Sequence, residues 1–131
     1  MKGHKRARCK SVDVLYLAAG AKYVGATYED KPSGHGILET EESTYKGYFL
    51  SGKRHGFGIE LRRDGMKYEG EWRTDLYHGK GKLFVDNEVL YEGTFNTGTY
   101  HGDGKIVRLD SSYEGQWNHG TYHGRGRHTT P

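Results

Sequence analysis

Five histidines recur along the chain, His35, His55, His78, His101 and His123, each followed directly by glycine. Repeated imidazoles invite metal coordination or proton transfer. The spacing argues against both. From His55 onward the intervals are 23, 23 and 22 residues, so equivalent side chains of successive two-stranded units stand about 10 Å apart. Ligands of one Zn²⁺ lie about 2 Å from the metal. Within one chain the imidazoles cannot converge, and each is expected to order its own turn through a backbone hydrogen bond, with bridging between two molecules left open. The Gly-x-Gly that follows each of the last four runs into strand-like residues and no helix, so it lacks the context of a phosphate-binding loop. No nucleophile elbow or paired buried carboxylates stand out. No catalytic residue, cofactor-binding residue or metal ligand is assigned, and an enzyme is not expected.

The remaining chemistry is surface chemistry. Tyr45, Phe49, Tyr68, Trp72, Tyr91, Phe95, Tyr113 and Trp117 form four pairs with the same four-residue interval. A single layer cannot cover both its faces, so part of this row is expected to remain open as a partner-binding groove for an extended peptide or a helix. Charge is concentrated elsewhere. Lys2, Lys5, Arg6, Arg8 and Lys10 give the first ten residues +5 against a whole-chain net of +3, which leaves −2 for the rest. Together with Arg62, Arg63 and Lys67 they are candidate contacts to an anionic surface. Five basic residues contribute at most about 5 kcal/mol at an anionic membrane, which alone gives sub-millimolar binding. Nucleic acid is disfavoured by the acidic body of the chain.

These side chains need strands to position them. In Tyr68–Leu83 the residues Tyr68, Gly70 and Trp72 alternate with Glu69, Glu71 and Arg73, the period of a half-buried strand. After a loop of about six residues, Gly79, Gly81 and Leu83 resume the alternation. The pattern predicts a hairpin in which Trp72 meets Gly79, Gly70 meets Gly81 and Tyr68 meets Leu83. Asp64-Gly65 and Asp86-Asn87 read as tight turns, Asp110-Ser111-Ser112 as a looser one. Gly52, Gly98 and Gly120, with Asp75 at the same phase, mark turns inside the hairpins.

The unit repeats from Tyr45, Tyr68, Tyr91 and Tyr113: Tyr-x-Gly, an aromatic four residues on, His-Gly-x-Gly ten residues on. This pattern resembles the MORN (membrane occupation and recognition nexus) repeat family, strongly over Tyr45–Gly126 and weakly at Tyr23. The resemblance implies a small MORN-only protein with an all-β fold, an elongated single-layer antiparallel sheet of successive hairpins. It also implies a non-enzymatic scaffold or protein-interaction module, placed in a cytoskeletal, ciliary or axonemal assembly, because enzymes containing such repeats carry a separate catalytic domain. The alternative is a peripheral membrane protein that binds anionic phosphoinositides.

The expected organisation is a basic, disordered tail over 1–11, an N-terminal half-repeat or cap over 12–22, and the repeat array over 23–131. Within the array a degenerate unit (23–44) precedes units starting at 45, 68, 91 and 113. Hydrophobic residues make up only 33% while glycine reaches 21 residues, so the eleven tyrosines must supply the burial that aliphatics cannot. No run of about 20 apolar residues predicts a membrane-spanning helix. The first ten residues lack the apolar core of a signal peptide. A single cysteine, Cys9, fits a reducing compartment, so a cytoplasmic location, with cytoskeleton or cilium and flagellum as the address, is expected. The C-terminal strand edge invites a partner strand, and open edges also permit a homodimer.

Overall fold

The computed structural model describes residues 8–129. Eleven strands form one antiparallel sheet in which each strand pairs with its neighbours in sequence. They are β1 (Cys9–Tyr16), β2 (Lys22–Tyr28), β3 (Lys31–Glu39), β4 (Ser43–Leu50), β5 (Lys53–Arg62), β6 (Met66–Arg73), β7 (Leu76–Val85), β8 (Glu88–Asn96), β9 (Thr99–Val107), β10 (Ser112–Asn118) and β11 (Thr121–Thr129). A single 3₁₀ turn at Ala18–Gly20 joins β1 to β2. The architecture is the expected all-β sheet of successive hairpins. Strand β1 starts inside the stretch assigned to the tail: Cys9 pairs with Tyr28 and Lys10 with Thr27, because β2 offers a free edge there. Lys2, Lys5 and Arg6 lie outside the described residues.

Two features of the hairpins differ from the sequence expectation. The loop between β6 and β7 is two residues, Thr74 and Asp75, at φ +49° and +68°. Positive φ at both central positions is the tight turn whose twist matches paired strands. Ser51-Gly52, Thr97-Gly98 and His119-Gly120 repeat it. The second difference is register. Gly70 pairs with Gly81 and Tyr68 with Leu83 as expected, but Trp72 pairs with Tyr77 and not with Gly79. Glu71 alone faces His78, Gly79 and Lys80, and the bulge is possible because Gly79 takes φ +75°. The two glycines of His-Gly-x-Gly therefore have different jobs. The first makes the bulge; the second stays in the ladder.

That ladder crosses the sheet. Gly36, Gly47, Gly58, Gly70, Gly81, Gly93, Gly104, Gly115 and Gly126 pair in succession from β3 to β11. Over each hairpin's glycines lies the ring of its own tyrosine. A Cβ added at Gly58, Gly81, Gly104 or Gly126 would overlap the ring of Tyr45, Tyr68, Tyr91 or Tyr113 respectively. Each hydroxyl then reaches the backbone three residues on: Tyr45 donates to the Tyr48 carbonyl at 2.9 Å and Tyr68 to the Glu71 carbonyl at 2.7 Å. Tyr91 and Tyr113 donate likewise to Thr94 and Gln116.

The row that holds these tyrosines reads, strand by strand, Leu15, Tyr23, Leu38, Tyr45, Glu60, Tyr68, Leu83, Tyr91, Ile106, Tyr113 and His128. Rings alternate with aliphatics, apart from Glu60 and His128. This face carries the core.

A methyl group on Gly81 has nowhere to go without moving the Tyr68 ring. Gly81→Ala is expected to cost about 1–3 kcal/mol as overpacking, and urea denaturation checks it. Burial also pushes the phenols of Tyr23, Tyr45 and Tyr91 up to about 12. The folded state thus holds these protons more tightly than the unfolded chain. Stability is expected to stay level below pH 10 and to fall between pH 10 and 12. Phenolate absorbance followed alongside circular dichroism should show these rings ionising together with unfolding.

Candidate interaction surface

The eight aromatics expected to line a groove do stand in one continuous row, but as its buried core. Tyr45, Phe49, Tyr68, Trp72, Tyr91, Phe95, Tyr113 and Trp117 are between 0 and 4% exposed. Each second aromatic of a unit stands edge-on both to its own tyrosine and to the tyrosine of the preceding unit. Trp72 meets Tyr68 at 5.2 Å and Tyr45 at 5.0 Å, with interplanar angles of 87°. Phe49, Phe95 and Trp117 repeat the arrangement. Edge-to-face pairs place the positive ring edge on the negative face of the next ring. The indole N–H groups are satisfied as well: Trp72 donates to the Gly58 carbonyl at 3.2 Å and Trp117 to the Gly104 carbonyl at 3.0 Å. Exposed ring surface, the basis of the groove expectation, is therefore absent from these eight residues.

What closes the row is a position that sequence reasoning overlooked, the residue before each histidine. Tyr77 stacks on Tyr68 at 3.8 Å, Tyr100 on Tyr91 at 3.9 Å and Tyr122 on Tyr113 at 4.2 Å. The Tyr-His-Gly tripeptide, present three times in the sequence, was the available signal. The bulge places this tyrosine beside Trp72 or its equivalents. In the unit from Tyr45 the position is Arg54, whose guanidinium lies 4.5 Å from the Trp72 ring centre. Arg54 also pairs with Glu60 at 3.0 Å and Asp75 at 3.1 Å, and Tyr77 donates to Glu60 at 2.8 Å. Glu60 stands where Leu83 and Ile106 stand in later units. One ion pair has replaced one ring and one aliphatic.

Each histidine was expected to order its own turn. His78 Nδ1 instead accepts from the Thr97 N–H, and His101 Nδ1 from the His119 N–H, both at 3.4 Å. They hold the turn of the following hairpin. Among the basic residues assigned to an anionic surface, several are already engaged. Arg62 pairs with Asp64 at 2.7 Å and Lys67 with Glu69 at 3.9 Å, while Arg63 donates to the carbonyls of Glu41 and Thr40. Lys10 pairs with Asp13 at 3.7 Å, and Arg8 is exposed.

The opposite face is made by the residues flanking the ladder glycines, and it has two halves. From β6 to β11 one row reads Glu69, Lys82, Glu92, Lys105, Glu114 and Arg127. Every member faces opposite charge on a neighbouring strand, and Lys82 reaches Glu92 at 3.8 Å. Over β1 to β5 the same row reads Val14, Val24, Ile37, Lys46 and Ile59. Val12, Tyr16, Phe57 and Leu61 flank it, and all four are exposed, Tyr16 at 80% and Phe57 at 58%. Among the described residues no helix is long and apolar enough to cross a membrane.

A meander of hairpins locked by rings on glycines, with one extended open face, is the geometry of a repeat-type interaction module. The family model for the MORN repeat matches residues 45–67, 68–89 and 113–131, and the chain belongs to that family. The unit from Tyr91, between the matched segments, repeats the same ring-on-glycine contacts. No curated protein matches the chain. MORN repeats act as protein and membrane interaction modules, which assigns this chain an interaction role in general terms.

The Arg54–Glu60 pair yields a sharp test, because a buried charge without its partner is costly while an apolar replacement of both is not. Glu60→Leu alone leaves Arg54 its Asp75 partner but takes the acceptor from the Tyr77 hydroxyl, and is expected to lower stability by about 1–3 kcal/mol. The double variant Arg54→Tyr, Glu60→Leu, which restores the arrangement of the neighbouring units, should be at least as stable as the parent. Urea unfolding of the two variants decides it.

Proposed function

We propose that this chain is a non-enzymatic scaffold that binds a protein partner, working in the cytoplasm within a cytoskeletal, ciliary or axonemal assembly. The observation that carries the reading is the exposed apolar half of the sheet face over β1–β5, next to a core that is already closed on the other face. Apolar surface of this extent, rimmed by polar residues, usually marks an interface. The tyrosine hydroxyls of the row support a structural role for these rings, since each is held by a carbonyl three residues on. The address within the cell rests on the family resemblance.

A second reading is peripheral binding to anionic phosphoinositides, favoured by the basic run that includes Arg8. Its contacts in the body of the sheet are weakened by the ion pairs of Arg62 and Lys67.

Detergent extraction of cells expressing the tagged protein separates the two, because detergent dissolves lipid and spares the cytoskeleton. The parent chain is compared with a variant lacking residues 1–8. Both are expected to remain in the insoluble fraction. Full release of the parent, together with membrane association that depends on residues 1–8 before detergent, would put the lipid reading first.

A further inference from the structure

We propose that the outer edge of β11 is a docking site for an extended segment of a partner protein with the side chains Tyr-Glu-Gly-Glu-Trp, added to the sheet as a further antiparallel strand. The site lies apart from the apolar face over β1–β5 and stands whether or not the chain is a scaffold. Among the described residues β11 pairs on one side only, with β10. An unpaired strand edge is a template for strand addition.

The sheet itself shows what such an edge selects. Where one hairpin meets the next, three positions of the earlier strand meet the same kinds of partner each time. Gly79, Gly81 and Leu83 face Phe95, Gly93 and Tyr91, and Gly102, Gly104 and Ile106 face Trp117, Gly115 and Tyr113. At the β5–β6 junction Gly56, Gly58 and Glu60 face Trp72, Gly70 and Tyr68. On β11 these positions are Gly124, Gly126 and His128, with the same pairing inside the hairpin and the same positive φ at the bulge glycine, Gly124. The incoming tyrosine needs a glycine two residues on because its ring lies along its own strand. A Cβ at Gly70 or Gly93 would stand 2.8 Å from the phenol oxygen of Tyr68 or Tyr91.

The aromatic ring is what the last hairpin lacks. Trp117 stands edge-on to Tyr100 at 5.2 Å and to Tyr91 at 5.6 Å, and Phe95 covers Tyr77 and Tyr68 in the same way. Among the described residues no later unit brings such a ring to Tyr113 and Tyr122, and Tyr122 is 45% exposed. Tryptophan is favoured over phenylalanine by an acceptor. Trp72 and Trp117 donate to the carbonyls of Gly58 and Gly104, and Gly126 is the equivalent residue on β11.

Charge selects the two remaining places. Lys82 and Lys105 face Glu92 and Glu114 across the junctions, and Arg127 holds their position on β11. Arg125 holds the position of Lys80 and adds a second positive charge, so glutamate suits both places. Residues 68–72 of this chain carry the same five side chains, but they are enclosed between β5 and β7, so a folded second copy cannot supply them. With the aromatic faces on one side, two copies can continue the antiparallel sheet across this edge only by pairing β11 with β11, since β1 and β11 run in the same direction. Kept in the glycine ladder, that pairing sets Arg125 against Arg127 on both sides of Gly126, and like charges directly opposite are destabilising.

The test uses the full chain, isotope-labelled, and a synthetic peptide with the sequence of β6. The peptide is expected to shift the amide signals of residues 122–128 and the indole N–H of Trp117. It should bind about tenfold tighter than a version with alanine for its tyrosine and tryptophan. Arg125→Glu should weaken the peptide about two- to fivefold, and lysine in place of the peptide's second glutamate should restore the binding. Arg125 is exposed, so an unchanged dichroism spectrum confirms the fold of the variant.

Equal binding of the parent and alanine peptides, no binding, or shifts at β1 in place of β11 would overturn the proposal. So would a failed charge exchange, in which Arg125→Glu binds the glutamate and lysine peptides alike. A concentration-dependent dimer that the peptide dissociates would assign the edge to a second copy and overturn the partner segment.

Discussion

Everything in this sheet depends on a tyrosine ring lying on bare backbone. A phenol placed over two paired glycines sits closer to the sheet than any side chain facing it would allow, and its hydroxyl bonds the chain three residues on. Such a ring is buried without a second layer of structure. Because the ring is fixed from below, the next unit's Phe or Trp can meet it edge-on at about the same distance each time. The repeat period follows from that contact.

The same constraint explains why one face is finished and the other is open. The ladder glycines all stand on the tyrosine face, so the residues beside them must point the other way. On β6–β11 that opposite face carries alternating charge, which pairs each strand with its neighbours. On β1–β5 the alternation lapses into valine, isoleucine and phenylalanine, and the polar solution is missing where the apolar surface is largest.

Much of this was legible in the sequence. The period, the hairpins and the meeting of Gly70 with Gly81 follow from alternation and spacing alone. The reading of the aromatics as an exposed groove failed because periodicity tells which residues share a face and says nothing of how deeply a ring can sink into it. That depth is set by the glycines, which were read as clearance and act as a seat. The bulge was hidden for a related reason: two glycines one residue apart look equivalent in a strand pattern, yet only Gly79 takes positive φ. Tyr77 and Arg54 were missed with it, since the bulge is what brings them onto the core face. The split of the back face could have been read from Lys82, Glu92, Lys105 and Glu114, had the ladder glycines first been paired strand to strand.

The central claim is that the aromatic row is core and not contact surface, and Trp72 and Trp117 report on it directly. Acrylamide quenching of their fluorescence, compared between the folded protein and the protein in concentrated urea, is the deciding measurement. Both indoles, almost wholly buried and bonded to backbone carbonyls, should be shielded in the folded state and become accessible only on unfolding. Quenching in the folded protein as ready as in urea would mean that the rings face solvent and that the groove, not the back face, is open to a partner.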